Sequence, residues 1–530
     1  QSPSRDRREA EREPCPTNAP STASCRSVRR SYIRGFLATF DSVYRDGLRR
    51  VAVGVAVPHI EPYGAEAVTI LRGPSAGLYG LGSPGGIVDV TSKRPVFTRF
   101  GEVVFQEGSF DRFQGNFDFG GPVEGSGNTL AYRLTGIVRQ SDSFLPGATE
   151  DRVNLAPSFT WKPSADTTFT LLTEFQRSRL PATTSFYNFP GFVVSRLYEG
   201  DPGFNRFLQE QSRIGYAFEH RFSPDLVFRQ NLRYEDMHSD YGYTSISGIE
   251  GLQANRYAVL AVDRLKSVAV DNQLEARFQT GPVAHTVLGG IDYLHYDYHR
   301  RFGLNFAVPP LDLTGVRDLA NFRYRTFIPR PALTNGSLQS QDQLGVYLQE
   351  QAKWDRFVLT LTGRQDFVQQ STQAIANEMA GSVHPQNDRA FTGRVGLNYI
   401  LAPGLVPYAS YATTFTPQLG NREGQPFKPA TGDQIEAGVK YAVPGTNVTA
   451  ALAAFDIAQS SLLRQDPNNL ANQVATGAVR SKGLEAELIA NLGVGTNVVL
   501  SFTHLDFRFI NQTSTVTGMP IDGNALSAVT

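Results

Sequence analysis

The chain has 530 residues with 50 basic and 50 acidic side chains, so its formal net charge is zero. That balance excludes the net basic footprint a nucleic-acid binder needs. Hydrophobic residues make up 41%, yet no run of about 18 apolar residues occurs, which excludes a transmembrane helix but not a membrane β-barrel.

Residues 1–30 are rich in Arg, Ser, Pro and Thr and are expected to be disordered. They contain no apolar stretch of the kind a signal peptide carries. Both cysteines, Cys15 and Cys25, lie here. Their spacing matches no metal motif, and a disulfide between them would need an oxidising compartment.

Residues 31–98 read as a small turn-rich module. Between Ile70 and Pro95 six glycines and three prolines punctuate short β-branched runs, so the backbone reverses several times where only Gly accepts positive φ. The glycine-rich stretch 80–86 lacks the following helix that phosphate binding needs, so it is not read as a nucleotide site.

From about Phe100 the pattern has period two. Tyr132, Leu134, Gly136 and Val138 alternate with Arg133, Thr135, Ile137 and Arg139. Leu226, Phe228, Leu232 and Tyr234 alternate with Arg229, Asn231, Arg233 and Glu235, and Ile435 to Tyr441 with Gln434 to Lys440. Side chains on a strand point to opposite faces, so each segment has one greasy and one wet face. The charged face would be too costly against lipid near the midplane and belongs in a lumen. Short turns such as Ser223-Pro224-Asp225 and Ala402-Pro403-Gly404 alternate with long loops expected at 178–211, 237–266 and 297–341. Roughly 18 or 19 candidate strands result, and the 21 tyrosines and 35 phenylalanines suit interfacial aromatic girdles.

The pattern predicts an all-β membrane protein: a large antiparallel transmembrane β-barrel over 99–530 with an N-terminal plug domain in its lumen. His295 and His299 share a strand face without a third ligand, so no metal site is expected. Nucleophile elbows and paired catalytic carboxylates are not found, so no enzyme is expected. A soluble propeller would need a 40–50-residue repeat, and none is visible.

Arg72-Gly73-Pro74, Leu78-Tyr79-Gly80, Pro84-Gly85-Gly86 and Lys93-Arg94-Pro95 follow Arg34-Gly35-Phe36, Asp46-Gly47-Leu48 and Ile60-Glu61-Pro62-Tyr63 in order. Together these elements resemble the plug signature of TonB-dependent outer-membrane receptors. Gly200 to Phe207, Gly215 to Phe222, Arg229 to Tyr234 and Phe427 to Gln434 resemble the ferric hydroxamate (ferrichrome-type) branch.

The resemblance implies import of a ferric siderophore across the outer membrane of a Gram-negative bacterium, energised by a TonB–ExbB–ExbD complex. The iron complex is the ligand and no cofactor is expected. It also implies that Arg34 and Arg72 meet Glu436 and Glu485 in a cluster locking plug to wall, a task suited to the planar fork of Arg. Tyr187, Phe189, Tyr241, Tyr243 and Phe302 match its aromatic ligand contacts, and rigid rings with a polar tip suit an amphipathic chelate.

The chain departs from that branch in two respects. The apical plug regions Leu37 to Asp41 and Val53-Gly54-Val55 are mostly apolar, and no Cys lies in the barrel. A receptor for a catecholate or mixed chelate, or a transport-incompetent remnant, stands as the alternative reading. Against a family expectation of about 22 strands, the TonB-contacting box, the first part of the plug and the terminal aromatic strand after Ala528-Val529-Thr530 are not recognisable. The resemblance therefore implies a chain shortened at both ends, with a barrel left open to lipid at two bare edges.

Overall fold

The computed structural model describes residues 32–510 apart from 190–192, 315–323, 325–326, 419–420, 423–424, 462, 467–468, 476–477 and 494, together with residue 523. Residues 1–30, with Cys15 and Cys25, and Ala528 to Thr530 lie outside the described residues.

The plug starts with two type I′ hairpins. β1 (Tyr32–Ile33) pairs with β2 (Phe36–Leu37) across Arg34-Gly35, and β3 (Val43–Arg45) pairs with β4 (Leu48–Arg49) across Asp46-Gly47. Both central residues of each turn have positive φ (52° and 86°, 55° and 79°), which is what a type I′ turn demands. β5 (Ala65–Arg72) and β6 (Gly86–Ser92) complete a four-stranded sheet in the order β4-β3-β6-β5, with β3 and β6 parallel. Val43, Ile60, Ala65 and Val90 form its core. The one-turn α1 (Ala76–Tyr79) ends on Gly80 at φ 79°. A Cβ at Gly80 would come within 2.7 Å of the Arg364 guanidinium of the wall.

Around this plug seventeen strands, counted among the described residues, form one closed barrel that begins at Phe100–Gly108 and ends at Asn497–Ile510. The count is one or two below the sequence expectation, and the ring closes where an open seam was expected. Closure pairs backbone groups that lipid cannot satisfy. The two-faced alternation holds around the wall. Ile435 is 63% exposed while Gln434 and Glu436 are buried against the plug, and Val138 is exposed while Ile137 is buried. Trp161, Phe222, Phe278, Trp354, Phe357 and Tyr399 stand beside short turns, where amphipathic rings meet headgroups. Trp354, Phe357 and Tyr399 touch in series, with ring centroids 6.3 and 4.8 Å apart.

The loop expected at 237–266, and the start of the one expected at 297–341, are strands instead. Leu226–Glu250, Gln253–Thr280 and Val283–Asp312 run for 25, 28 and 30 residues and stay paired almost throughout. About ten residues cross a bilayer, so these three strands carry the wall far beyond it. The cause is continued ladder pairing: once two such strands are in register, polar alternation sustains them in water as well as in the membrane.

Candidate functional site

Buried ion pairs such as Arg152 with Glu61 at 2.8 Å and Lys93 with Asp118 at 3.0 Å join plug and barrel, and so do two larger ionic clamps and one aromatic wall. In the first clamp the Arg34-Gly35 turn points Arg34 at the strands Ala430–Ala442 and Ala478–Asn491. Arg34 Nη1 lies 2.6 Å from Glu436 Oε2, and Nη2 lies 2.8 Å from Glu485 Oε2. Gln434 Oε1 accepts from Nη1 at 3.2 Å, the Phe455 ring lies under the guanidinium at 4.0 Å, and Ser481 Oγ donates to the Arg34 carbonyl. Tyr408 donates to the other oxygen of Glu436 at 2.7 Å. Gly35 is required here by space as well as by φ, because an added Cβ would come within 2.4 Å of Phe507. Arg72 stands at the margin: it approaches Glu485 only to 4.0 Å, pairs with Glu487 at 2.9 Å, and its side chain is 40% exposed. Thus Arg34, Glu436 and Glu485 come together, and Arg72 is turned chiefly to a partner the sequence did not suggest.

Sequence reasoning missed the second clamp. The Asp46-Gly47 turn carries Arg45, Asp46 and, just beyond β4, Arg50 against the strands Thr167–Arg179, Arg206–Ser223 and Leu226–Glu250. Glu174 accepts from Arg45 at 3.3 Å and from Arg213 at 3.1 Å. Arg213 also reaches Asp46 at 3.2 Å, and Arg50 pairs with Glu235 at 2.7 Å. Arg233 donates to the carbonyls of Arg45, Leu48 and Arg49 and pairs with Glu235 at 3.1 Å. Burial opposes ionisation of Asp46, but Arg213, Arg45 and two hydrogen bonds from Ser92 outweigh it and hold the carboxyl below the usual range. Burial and the nearby Arg213 push Arg45 down to about 10. The signal available was the run Arg233-Tyr234-Glu235, opposite charges on one strand face.

The aromatic wall rises from the plug apex along the three long strands. Register gives the rows. Met237, Leu265 and Tyr298 form the lowest, followed by Ser239, Asp263 and Arg300, then Tyr241, Ala261 and Phe302, then Tyr243, Val259 and Leu304. Directly paired residues share a face, and the lower rows touch the plug: Met237, Leu265 and Tyr298 pack with Leu48, Val51 and Ala56. Tyr241 and Tyr243 are 5.0 Å apart, and Phe207 meets Tyr241 at 4.8 Å while also facing His59 of the plug at 6.5 Å. Tyr257 continues the series beyond Tyr243 at 6.5 Å.

Three of the predicted aromatic residues therefore stand on one lumen face. Tyr187 does not join them. It packs with Leu197, Ile246 and Leu311 in a separate cluster. The side chain of Phe189 lies outside the described residues. His295 and His299 point away from this face; His295 bonds Asp342 at 2.9 Å and Asp297 at 3.3 Å. Among the described residues no group of three or more His, Cys, Asp or Glu could hold a metal ion.

The family description "TonB dependent receptor-like, beta-barrel" matches residues 154–529, and "TonB-dependent Receptor Plug Domain" matches residues 17–87. The chain belongs to the TonB-dependent receptor family. It is an outer-membrane protein of the Gram-negative type, and its family consists of receptors and transporters. The chain is 33% identical to the ferrichrome outer membrane transporter/phage receptor of Escherichia coli, over 91% of its own length and 68% of that protein. It is 31% identical to the ferrioxamine B receptor of Salmonella typhimurium, over 90% of its length and 68% of the relative. Among solved structures, the siderophore receptor PiuA from Acinetobacter baumannii is similar in fold, with a TM-score of 0.80 at 19% identity, covering 93% of this chain and 75% of the other.

Proposed function

We propose that this receptor binds ferric hydroxamate siderophores at its outer mouth and passes them inward when the plug rearranges. The observation that carries the reading is the row of Tyr241 and Phe302, with Tyr243 above, on the lumen face directly over the plug apex. A ferric trihydroxamate is compact, amphipathic and without net charge at iron, and aromatic rings with hydroxyl tips bury such a surface while offering hydrogen bonds. The names of the relatives, ferrichrome and ferrioxamine receptors, point to the same ligand class.

In this reading the iron complex is cargo, and the two clamps are among the plug–wall ties that an energising TonB-type complex must overcome or bypass. Ligand binding can shift the plug only if the ligand has different affinities for its two states. A ligand seated on Tyr241 and Phe302 lies one row above Asp263, which touches the plug apex directly, so such a difference has a physical route.

Titration of the purified receptor with ferrichrome, ferrioxamine B and a ferric catecholate tests the proposal. The hydroxamates are expected to bind at least about tenfold tighter than the catecholate, a difference of about 1.4 kcal/mol. Tyr241→Ala with Phe302→Ala is expected to abolish that preference. Tighter binding of the catecholate would overturn the reading.

A further inference from the structure

Between the aromatic rows and the plug lies a charged row that the proposed function leaves without a task. Asp263 is fully buried, and its Oδ2 accepts from Tyr298 Oη at 2.6 Å and from the backbone N–H of Val55, at the plug apex, at 3.0 Å. Its other oxygen, Oδ1, has no hydrogen-bond donor. The nearest cationic atom is Arg300 Nε at 3.8 Å, itself without an acceptor. The ion pair is therefore loosely made. Arg300 retains 29% of its side-chain exposure while Asp263 has none. The guanidinium lies 5.4 Å over the Phe302 ring, one row below Tyr241 and Phe302.

Gly54 sets how closely the plug approaches this row. Its φ is 60°, and a Cβ there would come within 2.0 Å of Tyr298 Oη and 2.9 Å of Asp263 Oδ2. The plug backbone is thus pressed against the carboxylate, and the carboxylate stands beside a cation facing the mouth.

We propose that Arg300 selects ferric chelates carrying a carboxylate on their periphery, and that Asp263 is the positioning residue connecting that choice to the plug apex. The inference rests on the hydroxamate reading above and adds a charge requirement to it. An arginine over an aromatic ring and only partly neutralised makes strong charge-assisted hydrogen bonds to a carboxylate. A carboxylate that takes Arg300 competes with Asp263 for it. The balance of charge at Val55 then changes without any ligand contact to the plug itself.

The probes are the ferric complexes of N-succinyl-desferrioxamine B and N-acetyl-desferrioxamine B, which share the iron site and differ by one carboxymethyl group, the only carboxylate of the pair. The full chain in detergent is expected to bind the succinyl complex about tenfold tighter or more, the scale of one charge-assisted bond. Arg300→Gln should make the two affinities equal while changing the acetyl complex less than threefold, and Arg300→Lys should keep part of the preference. Asp263→Asn should keep the preference but abolish the ligand-dependent change in hydrogen exchange at Val55 and Ala56.

Equal affinity of the unmutated receptor for the two complexes overturns the inference and needs no variant that must fold. An equal loss for both complexes in Arg300→Gln also overturns it. Failure to bind either complex overturns the hydroxamate reading itself, and this inference with it.

Discussion

At the Arg34 turn one buried cation meets two buried glutamates, with the exposed Arg72 at their edge. At the Asp46 turn the balance is reversed: Arg45, Arg50, Arg213 and Arg233 gather around Glu174, Glu235 and Asp46. Both are presented by type I′ turns of the same plug, 12 residues apart by the positions of Arg34 and Asp46 (46 − 34). The difference shows in what each leaves unpaired. The second clamp leaves Arg45 Nη1 and Arg213 Nε without an acceptor, and these residues line a small cavity with Gly215, Asn231 and Arg233. No nitrogen of Arg34 is left in that state among the described residues. A cluster short of one sign is most sensitive to losing that sign, so the two clamps should fail by opposite substitutions.

The largest effect is expected from Glu235→Gln. It strips Arg50 and Arg233 of their carboxylate at once, and removing one partner of a buried pair costs about 3–5 kcal/mol. Hydrogen exchange of the plug amides should speed up first in Val43–Arg49, the hairpin these arginines hold. Arg34→Met should follow closely. It leaves Glu436 and Glu485 facing each other, although Tyr408 and Gln434 still donate to Glu436. The loss here should appear first at Tyr32–Leu37. If both variants speed exchange uniformly across the plug, the clamps act as one unit and the contrast drawn between them is wrong.

Acid should probe the second clamp. Arg213 and Arg45 hold the Asp46 carboxyl below its ordinary value against the opposing effect of burial. A depressed carboxylate contributes stability that is fully present above its unfolded value, about 3.9, and is lost as pH falls through the folded value. Calorimetric scans in detergent from pH 6 downward should therefore show the plug weakening below about pH 4. Asp46→Asn should be weaker at pH 6 and flatter toward acid. Parallel curves for the two proteins would place the acid sensitivity elsewhere.

How much of this was readable beforehand depends on whether the signal was local. Arg34-Gly35-Phe36 and Asp46-Gly47-Leu48 are turn chemistry written in adjacent residues, and both became hairpins. The two-faced strands were legible for the same reason, since Gln434 and Glu436 alternate with Ile435 and Ala437 within one short segment. The second clamp was not, because Glu174, Arg213 and Glu235 come from three strands, and only the register brings them to one level. Length also misled: 237–266 read as loop, yet pairing from Met237 with Leu265 up to Glu250 with Gln253 keeps the segment in sheet. Tyr187 was placed with Tyr241 by the family resemblance, whereas packing sends it to Leu197 and Leu311.

The smallest effect is expected at the residue the motif marked most plainly. Arg72 belongs to Arg72-Gly73-Pro74, yet its close partner is Glu487, at 2.9 Å, with 40% and 32% of the two side chains exposed. Exposed pairs are screened by water and salt and are worth about 0–1 kcal/mol. Arg72→Ala should therefore barely change plug exchange, and raising the salt concentration should mimic it. Its distance of 4.0 Å from Glu485 makes it a measure of how far the first clamp extends. In an Arg34→Met background Arg72 becomes the nearest remaining cation to Glu485 within the clamp. There Arg72→Ala should cost more than it does alone. A double-mutant cycle reads that excess as coupling. Strict additivity would mean that Arg72 holds only Glu487, and that the first clamp is a single arginine with its two glutamates.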